Sequence, residues 1–495
     1  MKKKTWTRRL FLSGATSAAC VGCSDPTATT PSGSTGGDPL PEGSTSGLGD
    51  GSTAFGLDDS TSTGAASSSS GESTSTGLIE TTSGGDDRSD ALNIVFITAD
   101  DLGWKALDIH GPLNHRPRLD AFAAASRSFP RAFNVTSSCS SSRASFATGL
   151  YPSQHGVTGL VHRFPDLSLA PDAFTIARAL SEHGYVTGIN GKFHISHVDP
   201  PEAFGYSEVG PGRIDDADFI RDFLESHVNE PFFLELNFRQ THRRGNPRRW
   251  PIDPLYPVSP AAVQVPEYWA LPDSEGLRAC MAGYLSQFCV MDALIGETIA
   301  IIDQLGIRDR TMILFVSDNG IALPNNKTTL YDRGTGSPCL YSDPRDGFVG
   351  VDQSLVSSID YATTILDAAG IKVEGLPGGR LSAIPEREGV YSEMFWHAAE
   401  VGMRAIRNDD WKFIINTNTD PIGPGDTNED WERELDYRPW MYPRDTFELY
   451  DLAADPQEQN NLYKDEPEVV AELYDLLLAH AEETGDPTVY PALES

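Results

Sequence analysis

Residues 93–101 read NIVFITADD. Seven residues, Asn93 to Ala99, run almost without a polar break, as expected of a strand buried on both faces. Two carboxylates, Asp100 and Asp101, follow at once. The same grammar recurs three times. Tyr185 to Asn190 runs into Gly191-Lys192-Phe193-His194, Pro231 to Phe238 (PFFLELNF) leads to His242, and Thr311 to Val316 (TMILFV) ends in Ser317-Asp318-Asn319-Gly320. Segments with helical spacing lie between these runs: PRLDAFAAASRSF at 117–129, Ala173 to Leu180 with Gly184 as its stop, and residues 275–305. Alternating strands and helices predict an α/β fold, a mixed and mostly parallel sheet with helices on both faces. The tail reads differently. GVYSEMFWH, MRAIRNDDWKFIINT and TFELYDL read as strands, with Asn408-Asp409-Asp410 as a hairpin turn and 466–483 as an amphipathic helix. This predicts a smaller α+β domain with an antiparallel sheet over residues 376–495, after a catalytic domain at 91–375.

The chain has 495 residues, a 39% hydrophobic fraction and a net charge of −33. That length suffices for a large domain and a smaller one. The acidic balance argues against nucleic acid as a partner, but local basic patches can still take an anionic substrate.

Residues 1–23, MKKKTWTRRLFLSGATSAACVGC, read as an export signal with a twin arginine at Arg8-Arg9. Val21-Gly22-Cys23 has the form of a lipoprotein cleavage site with Cys23 as the lipidated residue, although Cys20 stands where leucine is usual. Ordinary signal cleavage nearby is the alternative. Residues 24–87 contain no Lys or Arg and are rich in Ser, Thr and Gly, so 24–90 is expected to be a disordered tether. Export to a bacterial periplasm or cell surface, with a lipid anchor in a membrane, is the expected location. Of the six cysteines, Cys139, Cys280, Cys289 and Cys339 lie beyond the signal, too few for a disulfide framework.

Asp100, Asp101, Lys192, His194, His242, Asp318 and Asn319 all follow buried runs. In α/β sheets, ligands bind beyond the carboxyl ends of strands. Each residue also has a structural reading of its own: an Asp pair caps helices, Asp-Asn-Gly makes turns. Their shared place favours a site. Three carboxylates and an amide carbonyl are hard oxygen donors, suited to Ca²⁺ or Mg²⁺ rather than zinc. Lys192 and His194 are two residues apart, so an extended segment turns them the same way. Cys139 opens the run CSSSRASFATG, and Arg143 lies one turn along if a helix starts there. A helix start attracts anions. The set suits a divalent cation beside a tetrahedral oxyanion.

CSSSRASFATG resembles the signature of the type I sulfatases, members of the alkaline-phosphatase-like superfamily, in which Cys-x-Pro-Ser-Arg is followed by Thr-Gly. Asp100-Asp101, Gly191-Lys192-x-His194, His242, Ser317-Asp318-Asn319-Gly320 and Lys327 fit the family's landmarks in order, and ELYDLAADPQEQNNL resembles its C-terminal subdomain. The resemblance covers about residues 91–485. SSCSSSRASFATGL, HGVTGL, and SDNGIALPNNKTTLY look like the heparan N-sulfatase branch. Three positions depart: Ser141 stands for the signature's proline, Ala147 for a usual leucine, and Thr241 for a common proline before His242.

The resemblance implies that a formylglycine-generating enzyme oxidises Cys139 to formylglycine. It implies that Asp100, Asp101, Asp318, Asn319 and the modified Cys139 bind one Ca²⁺. Hydrated formylglycine would attack sulfur through one hydroxyl, with Arg143 stabilising its anionic form. Lys192, His242 and Lys327 would hold sulfate oxygens, and one of these or His194 would assist proton transfer. The second hydroxyl would then expel sulfate. The implied substrate is a sulfate ester or sulfamate of a sulfated glycan. RQTHRRGNPRRW, residues 239–250, holds five arginines and reads either as a polyanion subsite or as internal ion pairing. The rival functions are a phosphodiesterase or phosphonate hydrolase of the same superfamily, a glycan-binding lipoprotein without turnover if Ser141 blocks maturation, and a cysteine hydrolase using Cys139 with His194 or His242.

Overall fold

The computed structural model describes residues 80–83, 91–106, 116–244, 250–397, 400–420 and 444–493. The expected export signal and Cys23 lie outside the described residues. Within the stretch 24–90 expected to lack structure, Glu80–Ser83 is a strand, paired antiparallel with Ile371–Glu374. The rest of that stretch lies outside the described residues.

In chain order the main elements are β1 (Asn93–Ala99), α1 (Pro117–Ala124), α2 (Cys139–Thr148), α3 (Ile176–Glu182), β2 (Val186–Gly191), α4 (Asp218–Ser226), β3 (Phe232–Phe238), α5 (Glu275–Gln304), β4 (Thr311–Ser317) and α6 (Asp360–Ala368). The tail adds β5 (Val390–Trp396), β6 (Glu400–Arg407), β7 (Trp411–Asn416), β8 (Phe447–Asp451) and α7 (Pro467–Thr484).

The central sheet has eight strands in the order Gly350–Val351, Arg127–Ser128, Cys339–Ser342, β4, β1, β3, β2, Glu208–Val209. β1 pairs parallel with both β3 and β4, and β2 pairs parallel with β3. Cys339–Ser342 runs antiparallel to β4, which makes the sheet mixed but mostly parallel. Side-chain alternation covers both faces. Val95 and Ile97 join one core with residues of α1, α4 and α5, while Ile94 and Phe96 join another with residues of α2, α3 and α6. α5 is long and apolar enough to cross a membrane by length and composition, yet Leu277, Met281, Phe288 and Ile295 are buried in the first of these cores.

β5 to β8 form a separate antiparallel sheet in sequence order. One face buries Ile406, Phe413 and Leu449 against Val470, Leu473 and Leu477 of α7. The other packs Met394, Met403 and Ile414 on Leu330 and Tyr331, a few residues beyond Lys327. A buried ionic cluster fastens the same contact. Asp332 accepts a bond from Lys412 Nζ at 2.7 Å and lies 3.3 Å from Arg407 Nη2, while its backbone N–H donates to Glu458 at 2.7 Å.

Candidate active site

The site forms where four parallel strands, β4, β1, β3 and β2, end together. The backbone ladder continues one residue past the strands: Asp100 N donates to Phe238 O at 2.9 Å, Asp318 N to Ala99 O at 3.1 Å, and Lys192 N to Asn237 O at 3.2 Å. That continuity fixes where Asp100, Lys192 and Asp318 point. Two further residues are set by unusual backbone. Asp101 has φ 61°, a left-handed conformation that Asp tolerates better than most residues. Gly191 has φ +97°, and a Cβ there would lie 2.1 Å from Asn237 O. Only glycine lets β2 approach β3 so closely just before Lys192.

α2 begins at Cys139, with Ser138 extended before it and Gly149 left-handed after it. Every residue of α2 is buried, unusual for so polar a helix. Two of its hydroxyls are used by neighbours: Val161 N donates to Ser140 Oγ at 3.2 Å, and Ser145 Oγ bonds His155 Nε2 at 3.0 Å. Ser141 is the third helical residue, where the backbone N–H has no partner within the helix, so serine and proline both fit the folded chain.

Around Cys139 stand three carboxylates and three cations. Lys192 Nζ donates to Asp100 Oδ1 at 2.8 Å, and Lys327 Nζ donates to Asp101 Oδ1 at 2.8 Å and to Cys139 Sγ at 3.0 Å. Arg143 donates from Nε to Asp318 Oδ2 at 3.0 Å and from Nη1 to Asn237 Oδ1 at 2.9 Å, with Nη2 also 2.8 Å from Asp318 Oδ2. Asn319 Nδ2 donates to Asp101 Oδ1 at 2.8 Å. The Cys139 thiol lies 3.8 Å from Asp100 Oδ1. His242 Nε2 is 4.0 Å from Asp101 Oδ2, and His194 Nε2 bonds His162 Nδ1 at 3.0 Å.

Burial strains these charges, and neighbours decide the outcome. For Asp100, burial pushes the carboxyl up, but Lys192, His242, Arg143 and Lys327 together hold it well below its usual range. Asp101 is lowered on the same balance, with Lys327 its strongest attraction. Asp318 goes the other way: burial raises it to about 7, against the pull of Arg143. Burial pushes the Cys139 thiol up to about 12, opposed by Lys192 and Lys327. The thiol is therefore protonated at neutral pH and a poor nucleophile. Burial lowers both His194 and His242. Neither imidazole hydrogen-bonds Cys139 among the described residues, so the cysteine-hydrolase pairing lacks its general base.

A divalent cation fits this cluster. Asp100, Cys139 and Asp318 each offer a ligand atom, all within 4.8 Å of one another. Asp100 Oδ2, Asp101 Oδ2 and Asn319 Oδ1 are buried oxygens that accept no hydrogen bond. Buried oxygens rarely lack a partner. Hard oxygen donors of this kind match Ca²⁺ or Mg²⁺.

A family profile described as Sulfatase matches residues 92–371, over half of the chain. The chain belongs to the sulfatase family. Its class is that of the sulfuric-ester hydrolases. The sulfatase is 29% identical to human N-sulphoglucosamine sulphohydrolase over 465 residues, covering 80% of this chain and 91% of that one. Among solved structures, a putative sulfatase from Bacteroides fragilis superposes with a TM-score of 0.63 at 19% identity, covering 81% of this chain and 98% of the other. A structure in complex with its substrate D-glucosamine-2-N,6-O-disulfate superposes at 0.61 with 20% identity, covering 80% and 99%. These structural likenesses bear on the fold.

All the residues singled out in the sequence meet at one place: Asp100, Asp101, Cys139, Arg143, Lys192, Asp318, Asn319 and Lys327 in the cluster, His194 and His242 on the adjoining cleft. Three others emerge only in the structure. Asn237 joins Arg143 to Glu235, to which its Nδ2 donates at 2.7 Å. The alternation of Glu235 and Asn237 inside an apolar strand was a legible signal. His162 pairs with His194, and His397 Nδ1 bonds Ser138 Oγ at 3.0 Å beside the cysteine. No local pattern marks either histidine. The basic segment 239–250 divides. Arg243 is buried with its guanidinium 4.2 Å from the Trp250 ring, and Arg244 donates to Gln287. Arg239 lines the cleft. Arg248 and Arg249 lie outside the described residues.

Proposed function

We propose that this sulfatase hydrolyses sulfate from sulfated glucosamine units of a glycan, using a formylglycine made from Cys139 and a Ca²⁺ ion. The observation that carries the reading is Cys139 itself. A thiol held protonated by burial, at a helix start among three carboxylates and three cations, is in the wrong state for thiol chemistry and in the right place for a precursor. The similarity to the human N-sulphoglucosamine enzyme, across nine-tenths of that protein, supports the sugar and the N–S linkage.

Asp100, Asp101, Asp318 and Asn319, with an oxygen on residue 139, would hold the cation. Bound there, it would supply Lewis-acid polarisation of an oxygen. Formylglycine hydrate carries two hydroxyls on one carbon, one to attack sulfur and one to release sulfate. The remaining work belongs to the chain. With the three carboxylates ionised, Arg143, Lys192 and Lys327 balance them, so a divalent ion would leave two surplus positive charges facing the cleft. That surplus attracts a sulfate. Lys192 and Lys327 sit close enough to residue 139 to hold sulfate oxygens and take up developing charge. Asp318 and Asn237 clamp the Arg143 fork, so its positive charge cannot swing away. Burial favours the uncharged form of His242 and His194, so each can accept a proton from a hydroxyl of residue 139 and then pass it to a departing oxygen or nitrogen.

A formylglycine-generating enzyme is the required partner, and it has to accept Ser141 in place of proline. The leader supports export and a lipid anchor at Cys23. The test uses the full chain, produced with such an enzyme, on N-sulfoglucosamine and on 6-O-sulfated glucosamine. Sulfate release by the wild type and none by Cys139→Ala, with unchanged circular dichroism, is the expected result. Retained turnover in Cys139→Ala sinks the mechanism.

A further inference from the structure

The cleft beside Cys139 has a volume of about 550 Å³, a size that suits a sugar. Cys139, Lys192 and His242 line its catalytic end. Leu160, Phe193 and Val209 give it apolar wall, His162 and His194 give it hydrogen-bonding wall, and Arg239 adds a cation to that of Lys192. Among the described residues no Asp or Glu lines it, in a chain with 71 acidic residues against 38 basic ones. So one-sided a lining exceeds what a single sulfate requires.

Arg239 is the residue left over. It follows β3 directly, and alternation places it on the side of the strand that carries Glu235 and Asn237. Its carbonyl accepts a bond from His242 N at 3.2 Å, so its backbone is tied to a catalytic turn. Its side chain is half-buried, and among the described residues its guanidinium makes no hydrogen bond and no ion pair. Arg143, Lys192 and Lys327 are each engaged by a carboxylate, and Arg243 and Arg244 by Trp250 and Gln287. A guanidinium has five donors in a rigid fork matched to an oxyanion. Its fork opens on the cleft, where an anion of the substrate can take the place of water as acceptor.

We infer that Arg239 binds a second anionic group of the substrate, a sulfate or carboxylate carried by the saccharide whose scissile sulfate lies at Cys139. This rests on the sulfated-glycan reading above and narrows it to sugars with at least two anions. The second anion has two sources with the same chemistry: another sulfate on the same ring, or the carboxylate of an adjoining uronate.

The experiment compares the full-length matured enzyme with Arg239→Gln and Arg239→Lys. The substrates are N-sulfoglucosamine, glucosamine-2-N,6-O-disulfate, and a disaccharide of N-sulfoglucosamine and a uronate. In Arg239→Gln, KM for one of the two-anion substrates should rise at least tenfold relative to N-sulfoglucosamine, a loss of about 1.4 kcal/mol. Arg239→Lys, which keeps the charge without the fork, should recover part of it. The substrate that responds identifies the source of the anion. KM values that rise together for all three substrates, or do not move, overturn the inference. Should the enzyme turn over no sulfated sugar, calorimetry with the same ligands on Cys139→Ala, with and without Arg239→Gln, separates the two claims. A tenfold weaker binding of a two-anion sugar supports the role of Arg239 even then; equal or absent binding overturns it.

Discussion

Arg143→Lys keeps a positive charge and removes a geometry. In the folded chain the guanidinium joins two partners that no single ammonium can reach together: Asp318 through Nε at 3.0 Å and Nη2 at 2.8 Å, and Asn237 through Nη1 at 2.9 Å. The residue is 5% exposed and Asp318 fully buried, so water cannot replace what is lost. A lysine that keeps Asp318 gives up one charge-assisted bond, about 1.5–3 kcal/mol, and leaves the buried Asn237 oxygen unpaired, about 1–3 kcal/mol more. The expected total is about 3–5 kcal/mol, allowing for partial relaxation around the smaller head group. Urea denaturation followed by tryptophan fluorescence measures it, with an unchanged slope as the sign that both states keep their compactness. Activity should fall with stability, because the same fork sets the position of Asp318 in the proposed cation site. A loss below about 1 kcal/mol would show that Arg143 is replaceable as a point charge, and the clamp argument would then be wrong.

Glu393 offers a pH test. Its carboxylate is buried, accepts bonds from Ser153 N and Oγ at 2.9 Å each, and burial raises it to about 7. An unfolded glutamate titrates near about 4.3, so the folded state holds the extra proton between these values. The stability from this group is complete below about 4.3 and is lost as pH rises through about 7. Glu393→Gln should therefore flatten the decline in melting temperature from pH 5 to 8; an unaltered slope would refute the assignment. Gly191→Ala sets a Cβ against Asn237 O at a φ of +97° and should displace Lys192. About a hundredfold loss of kcat is expected from a shift near 1 Å, and full activity would show that β2 and β3 can part at no catalytic expense. Asp332→Asn leaves Lys412 and Arg407 facing each other in a buried cluster, with about 3–5 kcal/mol of stability lost. Adding Lys412→Met should restore part of that loss, and no recovery would mean that Asp332 acts through packing alone.

The central strands were legible because each is buried on both faces and so keeps an unbroken apolar run: β1, β3 and β4 begin and end within a residue of their predicted limits. Their polar ends were legible for the same reason, since Asp100-Asp101 and Asp318-Asn319 stand where apolar character stops. The outer strands were not. Arg127–Ser128 and Gly350–Val351 are two residues long and carry no periodicity. Cys339–Ser342 finds its place only by pairing with β4. His397 reaches Ser138 from the end of β5, across a separation of 259 residues, through packing of the second sheet on the Leu330 and Tyr331 segment. A contact of that kind depends on how two sheets meet, which no local pattern encodes. The basic segment shows the opposite limit. Its arginines look equivalent in sequence, and burial alone separates Arg243 beside Trp250 from Arg239 on the cleft.

The central claim is that Cys139 is a precursor. The most direct measurement is the mass of the peptide containing it, taken from protein made in a host that supplies a formylglycine-generating enzyme and assayed for sulfate release in the same preparation. Conversion replaces sulfur by oxygen and removes two hydrogens, so the peptide should weigh about 18 Da less than its cysteine form and activity should scale with the converted fraction. Sulfate release from protein whose Cys139 is wholly a thiol would contradict the account.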